Sequence, residues 1–359
     1  MQHLSIQFVI LDYGFLKLLL KANTQYSRGK INAFVVLSFI SLFVVHTFVD
    51  PMTVRDLPFY KDAFNECISL PFYRLKDALW ASSMELGFLW YMKFLSLISN
   101  NFIIVLIVGS LILLSCYYRT ILKYSPYTYV SILLLLVTVF DQSIFVLRQH
   151  LAMALLTLSW DSIINKNYRR FGVFIIIAFL LHRTALVFVP LFFLYNIENK
   201  RKYILALLIT CLVFGVSYII ILRYFSSLMG RDYSGYIDNV KYGGANYVDF
   251  ILMSGLLASM VFFMKSAVFE RGINKLLLSI ISIAVIATFF GVGNSSTGRL
   301  FYYYTAIPFI LVPNIMKYIN NPIVRVGFAV CYIGLYVYVS YLGSAAVYFE
   351  NMSFLFQTK

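Results

Sequence analysis

The chain has 359 residues, 61% of them hydrophobic and only 12% charged, against about 25% charged in an ordinary soluble domain. Buried core grows slowly with size, so a soluble enzyme, a disordered chain and a disulfide-stapled secreted domain are all excluded. The net charge of +14 lies in small clusters between apolar runs, with no basic stripe, RNA-binding signature or zinc spacing to suggest nucleic acid; an all-α polytopic integral membrane protein remains.

Crossing about 30 Å of hydrocarbon takes about 20 helical residues. The N-terminal MQHLSIQFVILDYGFLKLLLKA lacks the basic n-region and cleavage site of a signal peptide and is predicted to be a retained helix near 4–20, carrying Asp12 and Lys17. Further spans are predicted near 32–49, 100–117, 127–145, 148–164, 203–222, 248–264, 276–292, 300–316 and 323–343. The apolar stretch 171–196 is interrupted by His182, Arg183 and Thr184. Lys166, Arg169 and Arg170 precede it, and Lys200, Arg201 and Lys202 follow it. One straight span would put basic clusters on both faces, against the positive-inside rule, so two short arms meeting at His182 are predicted. About 12 membrane segments result, in one polytopic domain covering 1–359.

Charge counting supports that topology. Segments 21–31, 118–126, 165–170, 197–202, 265–275 and 317–325, placed inside, hold 16 Lys+Arg and 2 acids. The outer segments hold 12 Lys+Arg and 11 acids. The short inner loops therefore carry the basic bias, and both termini are expected outside. The long outer loop 50–99 contains RDLPFYKDAFNE and then MELGFLWYMKFLSLIS, read as an amphipathic or re-entrant interfacial helix with Trp90 and Tyr91 at headgroup depth. The outer loop 223–247 mixes Tyr, Gly, Asp and Arg, a composition suited to a polar loop over a binding site.

Ionisable groups beside or inside a membrane are costly, which makes them functional candidates. Here they collect on the outer side. Asp56 and Tyr60 follow the second span, Glu85 opens the interfacial helix, and Arg148, Gln149 and His150 occupy one outer turn. His182 and Arg183 occupy the next, and Arg299 lies in NSSTGRLFYYY with Tyr303. Several cations converging on one face suit a polyanionic headgroup, because Arg binds phosphate oxygens bidentately. Each residue also has a plainer reading. An Arg at a helix end snorkels, and Arg183 fits that description best. Arg299 sits in an aromatic belt, His182 suits a core histidine, and Glu85 suits a helix N-terminal acid. The cysteines Cys67, Cys116, Cys211 and Cys331 lie far apart with no CxxC pair, and the four histidines form no HExxH, so no metal or cofactor is expected. Walker A, GxGxxG and GxSxG sequences are absent, and GVGNSSTG at 291–298 lacks the Lys of a P-loop.

The succession RDLPFY, MELGF, FVLRQHLAMAL and FLLHRTALVFVPLFFL, from about Arg55 to Leu194, resembles the EpsG-like family of bacterial polysaccharide proteins, which includes many Wzy-type polymerases. A weaker echo runs from Gly298 to Tyr304. The most specific matches are Arg148-Gln149 before a small-residue helix and His182-x-Thr184-Ala185-Leu186 ending at Pro190, with Asp56, Tyr60 and Glu85 matching as well. The family's usual RxxxxxDxxxY opening is shortened here to Arg55-Asp56-x-x-x-Tyr60. The resemblance implies a GT-C-like membrane glycosyltransferase of the bacterial inner membrane, acting on the periplasmic face without metal. It would join undecaprenyl-diphosphate-linked O-antigen or related repeat units, with glycan donor and acceptor, the bilayer and a separate chain-length regulator as partners. Arg148 and Arg299, with Gln149 and His182, would then face the departing diphosphate. Glu85 or Asp56 would act as base, with His150 or His182 next, and Tyr60 and Tyr303 would contact glycan or diphosphate. The alternatives are an O-antigen ligase, another lipid-linked glycosyltransferase, or a flippase. A flippase calls for charges deep in several spans, whereas mid-span charges here are few.

Overall fold

The computed structural model describes residues 32–54, 56–78, 83–198, 202–203, 205–207, 209, 247–270, 272–291, 302–342 and 353–355. The predicted helix near 4–20, most of the span 203–222, nearly all of the loop 223–247, Arg55 and Arg299 with its turn lie outside them. Among the described residues the regular elements are helical, and the strand-like contact is a single antiparallel bridge, Val49 to Phe354.

In chain order the helices are α1 (Ala33–Thr47), α2 (Leu57–Ser69), α3 (Leu86–Ser96) and α4 (Ile103–Tyr124). Then come α5 (Thr128–Phe145), α6 (Leu147–Leu158), α7 (Trp160–Ile164), α8 (Tyr168–Leu181) and α9 (Val189–Asn196). They are followed by α10 (Tyr247–Phe263), α11 (Gly272–Gly291), α12 (Pro308–Met316) and α13 (Pro322–Leu342). Among the described residues four helical stretches are long and apolar enough to cross a membrane: α4, α5, Gly272–Phe289 of α11 and Pro322–Val339 of α13. The stretches Ala33–Thr47, Arg183–Asn196 and Tyr247–Phe263 are shorter apolar helices. The chain is an all-α membrane protein.

The breaks have local causes. Asn32 caps α1 by accepting the Val35 N–H at 3.2 Å. Pro308 and Pro322 open α12 and α13, where a missing N–H costs nothing. The predicted span 148–164 is two pieces, because the Ser159 carbonyl accepts from Ser162 at 2.8 Å and Ile163 at 3.1 Å and starts a new turn. The stretch 171–196 divides after Leu181, giving α8, a 3-10 turn over Arg183–Phe188, and α9. Leu136–Phe140 of α5 is π-helical, a departure frequent at functional sites.

The chain divides into two compact units. The first comprises Met1–Leu158, Ile176–Arg183 and Pro308–Lys359. In it α4 packs on α1 and α6, α5 on α12 and α13, and α2 on α3. Buried hydroxyls and a histidine cross-link these helices: Thr120 to Thr157 at 2.8 Å, Tyr118 to Ser38 at 2.9 Å, and His46 to Ser110 at 2.7 Å. Between membrane helices each such bond contributes about 0.6 kcal/mol on average. Residues 353–355 fold back on the segment that follows α1. Asp50 N–H donates to the Ser353 carbonyl at 2.8 Å, Leu355 N–H donates to Phe48 at 3.0 Å, and Phe354 is buried. In the second unit, Ser159–Ile175 and Thr184–Ile307, α11 packs on α10, α9 and α7.

Candidate functional site

Four short segments of the first unit build the site. Asp56 stands at the N-cap of α2, and Tyr60 follows one turn later, its N–H reaching the Asp56 carbonyl at 3.4 Å. Glu85 is the N-cap of α3, where its carbonyl accepts from Phe88 and Leu89 at 3.0 and 3.1 Å while its carboxylate makes no cap bond. Between α5 and α6 the backbone breaks at Val146 (φ −122°, ψ 57°), so Arg148 falls in the first turn of α6. A cation there opposes the helix dipole at a cost of about 0.3–1 kcal/mol, so it needs a compensating anion. His182 and Arg183 follow the end of α8.

Glu85 is that anion. Arg148 Nη1 donates to Glu85 Oε2 at 2.5 Å and to the Ser83 carbonyl at 3.3 Å. Nε donates to the Tyr60 hydroxyl at 3.3 Å. The guanidinium carbon lies 5.3 Å from the Tyr60 ring centre and 5.9 Å from that of Phe88, within cation–π range of both. These two rings meet edge to face at 5.4 Å. Three directions of the guanidinium plane are therefore fixed. Among the described residues Nη2 donates to no protein atom, and the side chain keeps 14% of its exposure.

The other carboxylate oxygen of Glu85 faces the turn after α8. Oε1 accepts the Arg183 backbone N–H at 3.3 Å and lies 3.4 Å from His182 Nδ1. The Glu85 side chain is 4% exposed. Burial alone would raise its pKa, but the His182 contact, the Arg148 charge and the Arg183 N–H outweigh it and lower the value from 4.5 to about 2. A carboxylate held that low is a weak base at neutral pH.

Asp56 differs. It is half-buried, and its carboxylate makes no hydrogen bond or ion pair among the described residues, yet its charge acts on both Tyr60 and Arg148. The cluster of Asp56, Tyr60, Glu85, Arg148 and His182 thus gathers five residues singled out in the sequence. Gln149 and His150 follow Arg148 on α6 but are almost fully buried, at 1% and 2% exposure. Tyr303 belongs to the second unit, where its hydroxyl and that of Thr184 share a hydrogen bond of 3.1 Å. Arg299 lies outside the described residues. No group of three or more His, Cys, Asp or Glu side chains among the described residues is placed to share a metal ion.

Phe88 and Ser83 were not singled out in the sequence, and Arg183 was singled out only for its side chain. Phe88, one turn along α3 from Glu85, had a signal in its i,i+3 spacing, which puts both residues on one helix face. The Ser83 carbonyl and the Arg183 N–H had none, since any residue supplies a backbone group.

The model of the EpsG family matches residues 32–356, nearly the whole chain. No curated protein and no solved structure matches it.

Proposed function

The chain belongs to the EpsG family, and from that premise we propose that it is a membrane glycosyltransferase that polymerises lipid-linked oligosaccharide repeat units. The observation that carries this reading is the half-committed guanidinium of Arg148, clamped on three sides and, among the described residues, left with Nη2 to offer. A pre-aimed donor in a poorly hydrated site is what a departing diphosphate needs, because negative charge develops there as the glycosidic phosphate bond breaks.

In the proposed reaction, a hydroxyl on the non-reducing sugar of the acceptor attacks the anomeric carbon of the growing donor glycan. The bond from that carbon to the phosphate oxygen breaks, and undecaprenyl diphosphate leaves with the electron pair. Asp56, whose carboxylate has no partner among the described residues, takes the hydroxyl proton. Glu85 positions Arg148 and, through Oε1, the imidazole of His182. Tyr60 holds Nε of the guanidinium. Arg299 is assigned a second diphosphate contact, and Tyr303, Gln149 and His150 glycan-side or supporting roles. Inner-membrane residence, a periplasmic active face, about 12 membrane segments and a GT-C-like architecture complete this proposal, as does a separate chain-length regulator.

The test is a lipopolysaccharide gel from the native bacterium with the gene inactivated. A core carrying a single repeat, with the ladder lost, supports the polymerase. A core without any repeat points to the ligase or flippase instead, and an unchanged ladder removes the O-antigen assignment.

A further inference from the structure

We propose that Gly87 is a positioning residue of this site: its missing side chain lets α3 approach the end of α8 closely enough for Glu85 to span from Arg148 to the His182–Arg183 turn. The inference rests on the polymerase reading above.

A Cβ at Gly87 would lie 2.5 Å from the carbonyl oxygen of Leu180, 2.6 Å from its Cβ and 2.8 Å from its carbonyl carbon. Close-packed interiors have no slack for such overlaps. The obstructing atoms are backbone, or one bond from it, so no side-chain tip can swing aside. Clearance is therefore what the position requires. Gly109 is different in kind, because there the nearest atom is the Tyr91 hydroxyl at 3.2 Å. Gly172, Gly327 and Gly334 have nothing within 4 Å.

The contact stands at the centre of the site's geometry. Glu85 precedes Gly87 by two residues, and His182 follows Leu180 by two. Just beyond this crossing, Glu85 Oε1 meets the Arg183 N–H at 3.3 Å and His182 Nδ1 at 3.4 Å. Both contacts are near the upper limit of useful length. Admitting a methyl group requires the segments to part by roughly 1 Å, a displacement of the size that can cost about 100-fold in rate. Oε1 would then lose both partners, and the carboxylate would no longer be fixed from two sides while it holds Arg148.

The experiment complements a strain lacking the gene with full-length Gly87→Ala, Glu85→Gln, the double variant, and Gly172→Ala as an open-space control. Membrane abundance, thermal unfolding in detergent and glycan chain extension are measured for each. The expected result is normal abundance of Gly87→Ala with extension lowered about 100-fold, and an unaffected Gly172→Ala. In the Glu85→Gln background the same glycine change should cost less than about 3-fold, since the two act through one device. A merely structural glycine would instead cost the same in both backgrounds, which overturns the inference, as does full extension by Gly87→Ala. If Gly87→Ala does not accumulate, it is paired with Leu180→Gly, which removes one obstructing atom and frees the carbonyl to turn. Accumulation without full extension then supports positioning, and failure to accumulate assigns Gly87 to folding and overturns it. Deletion of the gene without change in glycan length removes the polymerase reading and this inference with it. A wild type that extends beside an equally active Gly87→Ala removes the inference alone.

Discussion

Two cation–carboxylate pairs of nearly equal length, Arg148–Glu85 at 2.5 Å and Lys166–Glu198 at 2.6 Å, differ in almost everything else. The first is enclosed, with side-chain exposures of 14% and 4%, and its cation has two further acceptors and two aromatic walls. The second is open, at 55% and 77%. Distance does not separate them; burial does. An exposed pair contributes about 0–1 kcal/mol, whereas removing one partner of a buried pair costs about 3–5 kcal/mol because the other charge is left without compensation. The first pair is thus an arrangement with consequences for every neighbour, and the second is a local surface feature.

The contrast breaks most sharply at Arg148. Arg148→Ala is expected to abolish chain extension, a loss of at least about 100-fold, since it removes the guanidinium donors and the charge together. Arg148→Lys should recover a part at best, because an ammonium cannot hold Tyr60, Ser83 and Glu85 while also presenting a second nitrogen. Normal long chains from a well-expressed Arg148→Ala protein would take this residue out of the site.

Glu85→Gln comes next. It leaves the guanidinium buried without its counter-charge, and a loss of about 3–5 kcal/mol in stability is expected, read as a lowered unfolding midpoint in detergent. Its pH dependence has a definite sign. The folded-state pKa is depressed from 4.5 to about 2, so the stabilisation from Glu85 is complete above about 4.5 and is lost as the pH falls toward 2. Unfolding midpoints of wild type and Glu85→Gln should differ by a constant amount from pH 8 to 5 and converge below that. Convergence already near pH 6 would place the titration on another group.

How far the sequence anticipates this cluster depends on the range of the contact. Apolar run length gave α4, α5, α11 and α13 to within a few residues at most ends, because crossing a bilayer is a local requirement on composition and length. The polarity change at His182 likewise marked the end of α8. The residue types of the site were legible for a similar reason, since ionisable groups beside apolar spans are costly wherever they pair. Their pairing was not. Arg148 and Glu85 are 63 residues apart and Arg148 and Tyr60 are 88 apart, and no local periodicity encodes such a meeting. Hence the contrast between Glu85, which is tied on both oxygens, and Asp56, whose carboxylate is tied on neither among the described residues, emerges only from the fold. The clearance at Gly87 is equally invisible in MELGF, where the glycine reads as an ordinary weak helix former.

A smaller effect is expected at the C-terminal bridge. Phe354 is 3% exposed and pairs with Val49, seven residues before Asp56 at the head of α2. Phe354→Ala should cost about 3 kcal/mol and lower chain extension severalfold through the segment between α1 and α2. Unchanged stability would show that the bridge forms without the ring.

The open pair should respond least, and it tests the comparison from the other side. Glu198→Ala is expected to change stability by no more than about 0.5 kcal/mol and extension not at all, because an exposed pair is screened at ordinary ionic strength. Lys166 is held by something other than its charge. It closes α7 in the left-handed region, with φ 55°. Its N–H donates to Ile163 at 3.0 Å, while Asn167 N–H reaches back to Ser162 at 2.7 Å. That pair of bonds is the Schellman closure, whose left-handed position favours glycine because a Cβ there is crowded. Lys166→Gly therefore removes the ion pair and the backbone strain together. The expected outcome is a stability equal to wild type or higher by up to about 1 kcal/mol, with full chain extension. A clear destabilisation would mean that the Lys166–Glu198 pair matters as the buried one does, and that exposure is a poor guide to which charges this protein depends on.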